Sequence, residues 1–290
     1  MYNICCIGHI TLDRVVNSNG TVHMAGGTSY YFSKALRKMN VSFGLLTSLA
    51  QSEMPVVDEL RNEGITVKTF TSAYSVYFEN IYSNNQDHRT QRVLQKADAF
   101  TIEQLKDVKA DVFHLGPLLD DDISLEVLQY LAAKGKISLD VQGYLREVRG
   151  YEVCAVDWAD KKKALSYVHT LKANDYELEV LTGTNNIHQG AQILADWGVK
   201  EVVITLGSMG SVIYAYGIYY TIHAYTPAVV IDATGCGDTY MAGYLYQRAK
   251  GVTIEQAGKF AAAMASLKIQ ASGPFNGTEQ DVRELLAVNS

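Results

Sequence analysis

Asp232-Ala233-Thr234-Gly235-Cys236-Gly237-Asp238 decides how the rest of this 290-residue chain is read. One acid opens a run of small residues, a second closes it, and Thr239 to Lys250 follows with the spacing of a helix. Glycines at 235 and 237 let backbone N–H groups converge on one point, and a helix N-terminus adds partial positive charge there. An anion such as a phosphoryl group fits that turn. Asp238 then stands beside the anion, placed to take a proton from an attacking hydroxyl. The local pattern alone is equally that of a loop in which Asp238 caps the helix. A calcium loop is disfavoured, because the alternate ligands and the acid at the twelfth position are missing.

Composition narrows the choices. The length suits one large α/β domain or two small ones, and a hydrophobic content of 48% is that of an ordinary globular protein. A net charge of −6 with mixed signs argues against nucleic acid or an anionic membrane as partner. Lys161-Lys162-Lys163 reads as a solvated helix face. Cys5, Cys6, Cys154 and Cys236 show neither metal spacing nor a disulfide framework; Cys5 and Cys6, adjacent in a strand, point to opposite faces. Such thiols suit a reducing cytoplasm. No basic-then-apolar leader precedes the first strand, and no apolar run approaches the ~20 residues that span a bilayer, so a soluble cytoplasmic protein is expected. A P-loop Gly-x-x-x-x-Gly-Lys-Ser/Thr is absent, as is a dinucleotide Gly-x-Gly-x-x-Gly after the first strand.

Outward from the signature, the chain alternates. Strands are expected at Tyr2–Ile7, Val41–Ser48, Ile65–Phe70, Asp111–Leu115, Ile137–Val141 and Glu201–Leu206, with helices at Tyr30–Met39, Val56–Glu63, Ser124–Lys134, Ile187–Trp197 and Thr253–Ile269. This alternation calls for a parallel sheet with right-handed crossovers, whose ligands bind at the C-terminal ends of the strands. Two stretches break the rhythm. Residues 15–24 turn at Asn19-Gly20, and 75–94 form two strands about a polar turn at Asn84 to Asp87. Arg89 and Arg92 in the second stretch either reach a substrate or protect an edge strand. Ala25-Gly26-Gly27-Thr28-Ser29 is a second glycine-rich helix start, with Thr28 or Ser29 as cap. Asn174 and Glu177, one helical turn apart, are either a capping box or an outer shell for Mg²⁺, which keeps most of its waters.

The seven residues from Asp232 to Asp238 resemble the C-terminal signature of the ribokinase-like (PfkB) family of carbohydrate and nucleoside kinases. Weaker matches lie in family order from Gly8 to about Gly273: Gly8 to Asp13, Gly26-Gly27, Asn174-x-x-Glu177, and Thr205-x-Gly207-x-x-Gly210. The resemblance implies a three-layer α/β/α domain over 1–290 with a mostly parallel central sheet. Over the sugar it places a small β-sheet lid, from strands near 13–25 and 75–95, that often serves as the dimer contact. It implies ATP and Mg²⁺ as cofactors and a small sugar, cyclic polyol or nucleoside as partner. Asp238 becomes the general base, with the N–H groups of Gly235, Cys236 and Gly237 as an anion hole. Asp13, Gly26, Gly27, Thr28, Tyr31 and Gln142 face the substrate. Asn174, Glu177, Thr205, Gly207 and Gly210 lie toward the nucleotide, and Asn174 and Glu177 hold the metal through water. Tyr31 and Gln142 stand where many members carry Asn, a departure closer to the inositol-kinase branch. The rival reading is a family relative that binds a sugar or nucleotide without turnover.

Overall fold

Strand β1 (Tyr2–Ile7) shows why the chain layers as it does. Its side chains alternate, so Ile4 and Cys6 enter one apolar core while Cys5 and Ile7 enter another on the opposite face of the sheet. Both thiols are pushed up by burial, Cys5 to about 12. The computed structural model describes residues 1–17, 20–82 and 89–288. The turns expected at Asn19 and at Asn84 to Asp87 lie outside them.

The remaining strands are β2 (Thr11–Asn17), β3 (Gly20–Gly26), β4 (Phe43–Leu49), β5 (Val67–Thr71), β6 (Val76–Tyr82), β7 (Arg89–Gln95), β8 (Ala110–Leu115), β9 (Lys136–Asp140), β10 (Arg146–Arg149), β11 (Glu152–Ala155), β12 (Val168–Asn174), β13 (Glu201–Thr205), β14 (Ser211–Ala215) and β15 (Ile218–Ile222). The helices are α1 (Thr28–Leu36), α2 (Met54–Asn62), α3 (Ile102–Leu105), α4 (Leu125–Ala132), α5 (Lys161–Leu165), α6 (Asp175–Thr182), α7 (Ile187–Asp196), α8 (Cys236–Ala249), α9 (Ile254–Lys268) and α10 (Glu279–Val288).

Nine strands form the large sheet in the order β15-β14-β13-β12-β9-β8-β1-β4-β5. From β13 to β5 every pairing is parallel; β14 and β15 return antiparallel. The core on one face includes residues of α1, α2, α8, α9 and α10, and the core on the other includes residues of α3 to α7. This is the three-layer α/β arrangement with a mostly parallel central sheet. No helix among the described residues is long and apolar enough to cross a membrane.

The second sheet has six strands in the order β10-β11-β7-β6-β2-β3. It is larger than the sequence suggested, because β10 and β11 join the two expected stretches. The edge-strand alternative for Arg92 does not hold, because β7 lies between β6 and β11. In place of an edge role, Arg92 pairs with Glu79, which Arg14 also meets, each at 3.1 Å.

Candidate active site

The C-terminal ends of the parallel strands converge on the start of α8, the place where open α/β sheets bind ligands. Gly235 is the N-cap of α8 with φ of 75°, a conformation that favours glycine. The ring of Tyr31 lies against it, so a side chain at 235 would bring its Cβ 2.2 Å from that ring. Tyr31 is thus 2% exposed, under the turn, and its buried hydroxyl has no hydrogen-bond partner among the described residues. Asp232 holds the other side of the turn. Its carboxylate accepts the Thr234 N–H at 2.9 Å and meets Lys268 Nζ at 3.3 Å. Partial burial works against the charge, but the Thr234 bonds and Lys268 hold Asp232 below its ordinary range.

Of the three N–H groups expected to form an anion hole, that of Cys236 donates to Ala233 O at 3.1 Å. The turn as it stands therefore offers Gly235 and Gly237. The Cys236 thiol is pushed up to about 11, by burial first, which makes it a poor nucleophile.

Asp238 follows as the third residue of α8. Burial and the neighbouring Asp140 raise it to about 7, while Lys172 and a hydrogen bond from Thr28 pull the other way. Lys172 was not anticipated as a site residue. It sits on β12 opposite Asp140 of β9, its Nζ 3.0 Å from Asp140 Oδ2 and 3.8 Å from Glu177 Oε2. A Cβ added to Gly237 would lie 3.4 Å from the same Nζ, so the ammonium lies directly under the glycine turn. Burial opposes its charge, but Asp140, Glu177 and Asp238 outweigh that and hold Lys172 above its ordinary value. The sequence carried one weak signal of it: a lysine set between Leu171 and Ala173, where an unpaired buried charge is costly.

Glu177 and Asn174 form the capping box, each side chain accepting the other's backbone N–H, at 2.8 and 2.7 Å. Thr205, at the end of β13, is the register partner of Asn174, and Gly207 and Gly210 bracket the 3₁₀ turn that follows. On the opposite side Asp13 accepts from Thr11 Oγ1 at 2.8 Å, and its Oδ2 fills the space where a side chain at Gly26 would go. Gly27 is the N-cap of α1, and its built Cβ would fall 2.7 Å from His9 O. Gln142 lies in a 3₁₀ turn after β9, its N–H bonded to Asp140 Oδ1 at 3.1 Å. His9 lies before β2, its Nε2 3.6 Å from Asp122 and its ring stacked on Phe100 at 4.7 Å. That pair ties the loop between β1 and β2 to the loop after β8.

A cytidine kinase of Thermococcus kodakarensis is 25% identical over 88% of this chain and 92% of its own length. A ribokinase of Arabidopsis thaliana is 32% identical over 53% of this chain and 40% of its own. Among solved structures, a pyrophosphate-dependent kinase in the ribokinase family, complexed with a pyrophosphate analog and myo-inositol, superposes with a TM-score of 0.88 at 27% identity, covering 97% of this chain and 99% of the other. The pattern of the pfkB family carbohydrate kinases matches residues 45–281, and this chain belongs to that family of phosphotransferases.

Proposed function

We propose that the chain transfers the terminal phosphoryl group of ATP to a hydroxyl of a cyclic polyol or a nucleoside. One observation carries this reading: a carboxylate with raised proton affinity, Asp238, stands at the mouth of a glycine turn with a buried ammonium beneath it. Asp238 takes the proton as the acceptor oxygen attacks. The Gly235 and Gly237 N–H groups and Lys172 meet charge on the transferred group. Asp13, an acceptor for two neighbouring hydroxyls, orients the ring.

The residues fit magnesium only through water. Oε2 of Glu177 is taken by the Asn174 N–H, and Lys172 stands 3.8 Å away, which disfavours direct ligation. Among the described residues no group of three or more His, Cys, Asp or Glu could hold a metal ion. Glu177 would therefore meet a water of an ion carried by the donor phosphates. When bound, that ion neutralises phosphate charge.

The test is phosphate transfer with ATP and with pyrophosphate against myo-inositol, cytidine, inosine, ribose, fructose and an acyclic sugar acid. Highest kcat/KM for a ring polyol or nucleoside with ATP is expected. A preference for pyrophosphate would overturn the donor, and preference for the sugar acid would overturn the acceptor class. No transfer to any acceptor, with binding retained, would favour a non-catalytic sugar-binding or nucleotide-binding protein.

A further inference from the structure

Lys268 closes α9 from inside the protein. Its side chain is fully buried, which a lysine tolerates only when its charge is met. The ammonium donates to Asp232 O at 2.7 Å and lies 3.3 Å from Asp232 Oδ2. The helix explains part of this placement, because a cation is favoured among the last carbonyls of α9. The fold alone does not call for a charge there: apolar side chains of similar volume often replace buried ion pairs at no loss of stability.

The last turn of α9 is also the seat of the glycine turn. Ile269 O accepts the N–H groups of Ile231 and Asp232, at 2.9 and 3.2 Å, and the Cys236 thiol lies 3.8 Å from Ala265 O. Asp232 Oδ2 also accepts the Gly273 N–H at 3.3 Å. Two sources of negative charge thus stand against the start of α8, the Asp232 carboxylate and the carbonyl end of α9. Left alone, both repel a phosphate approaching the Gly235 and Gly237 N–H groups. Lys268 is the cation in contact with that carboxylate, and its charge is felt in the turn: burial raises the Cys236 thiol, while Lys268 pulls it down against Asp232 and Asp238.

We propose that Lys268 is a positioning residue for the phosphate donor: as the buried counter-ion of Asp232, it holds the glycine turn in place and cancels the acid's repulsion of the donor's phosphates. This rests on the kinase reading above. The turn then has a buried, acid-paired ammonium at each end, Lys268 at Asp232 and Lys172 beneath Gly237.

The role is one of charge, so the test uses Lys268→Met, Lys268→Gln, which can still donate to Asp232 O, and each of these combined with Asp232→Asn. The last substitution removes the acid but keeps an oxygen for the Thr234 N–H. Steady-state kinetics with ATP and with myo-inositol, ribose or cytidine reads both KM values and kcat, and calorimetry reads binding of ATP and of pyrophosphate. Loss of Lys268 is expected to raise the ATP KM and both donor dissociation constants by about tenfold or more, with the acceptor KM within about twofold. In the Asp232→Asn background the same substitutions cost about threefold or less, because no acid is left to repel the donor. Equal losses in the two backgrounds, an unchanged donor KM, or equal rises for donor and acceptor would overturn the counter-ion and leave Lys268 a helix-end contact. Should Lys268→Met fail to fold, Lys268→Gln takes the same measurements. Should neither fold, Asp232→Asn alone decides: donor binding tightens if the acid repels phosphate, and unchanged or weaker binding overturns the proposal. A wild type that binds ATP or pyrophosphate without turnover defeats the kinase reading alone, and Lys268 is then judged on the dissociation constants. A wild type that binds neither overturns both.

Discussion

Two helices of this protein begin at a glycine with positive φ, and they do opposite things with it. At α1 the N-cap is Gly27, φ 92°, and Thr28, Ser29 and Tyr30 follow; at α8 it is Gly235, φ 75°, followed by Cys236, Gly237 and Asp238. Neither has a side-chain cap. The first helix start is filled: His9 O presses against Gly27, Ser29 donates to that same oxygen at 2.8 Å, and Thr28 and Ser29 are buried. The second is left open by glycine at its second position and carries an acid at its third. They meet where Thr28 bonds Asp238. A glycine-rich helix start is thus not one device: at α1 it is occupied by side chains and holds loops together, and at α8 it is left without them.

The sharpest break of this comparison is Asp238→Asn. If the start of α8 is chemical, turnover falls by about 10²-fold or more while donor and acceptor still bind, because an amide cannot accept the proton. Steady-state kinetics with calorimetric binding checks it, and a variant keeping about a tenth of wild-type kcat would sink the base role. The wild type should also lose kcat/KM as pH drops through about 7, where Asp238 becomes protonated. Stability runs the other way. The folded-state pKa lies above the unfolded one, so this contribution is full below the ordinary value of 3.8 and is lost as pH rises through about 7. Asp238→Asn should therefore melt above the wild type at about pH 8, with the gap closing toward about pH 4.

Next in size is Gly27→Ala. A residue strained at positive φ and pressed 2.7 Å from a carbonyl should cost ~1–3 kcal/mol or more of stability, read in a urea melt. Gly237→Ala sharpens the contrast, since its added methyl would make an ordinary 3.4 Å contact with Lys172. We expect Tm to hold while donor KM rises about tenfold, as the methyl narrows the turn. Equal loss of stability in both variants would erase the distinction between the two helix starts. The smallest effect is expected of Glu177→Gln, a few-fold rise in the Mg²⁺ needed for half activity; an unchanged titration would leave Glu177 as a helix cap alone.

Much of this was legible in the sequence because it is local. The signature, the Gly26-Gly27 helix start and the Asn174–Glu177 box are each defined within a few residues, and apolar runs such as Tyr2–Ile7 are bounded by clear turns. What escaped depends on which strands become neighbours. Lys172 meets Asp140 only because β12 lies beside β9. Nor does spacing reveal that β10 and β11, short and polar, extend the smaller sheet, or that Tyr31 lies beneath Gly235.

The turn after β9 has a mechanical side. Asp140, which pairs with the lysine under the glycine turn, ends β9; the 3₁₀ turn Val141–Leu145 follows, and Arg146 then begins β10, the outer strand of the smaller sheet. That linkage is stiff, for Tyr144 stacks face to face on Trp158 at 4.0 Å and its hydroxyl donates to Ile123 O at 2.6 Å. The outer edge of the small sheet is thus joined to the Asp140 carboxylate through one short turn, and Trp158 and Ile123 hold that turn in place.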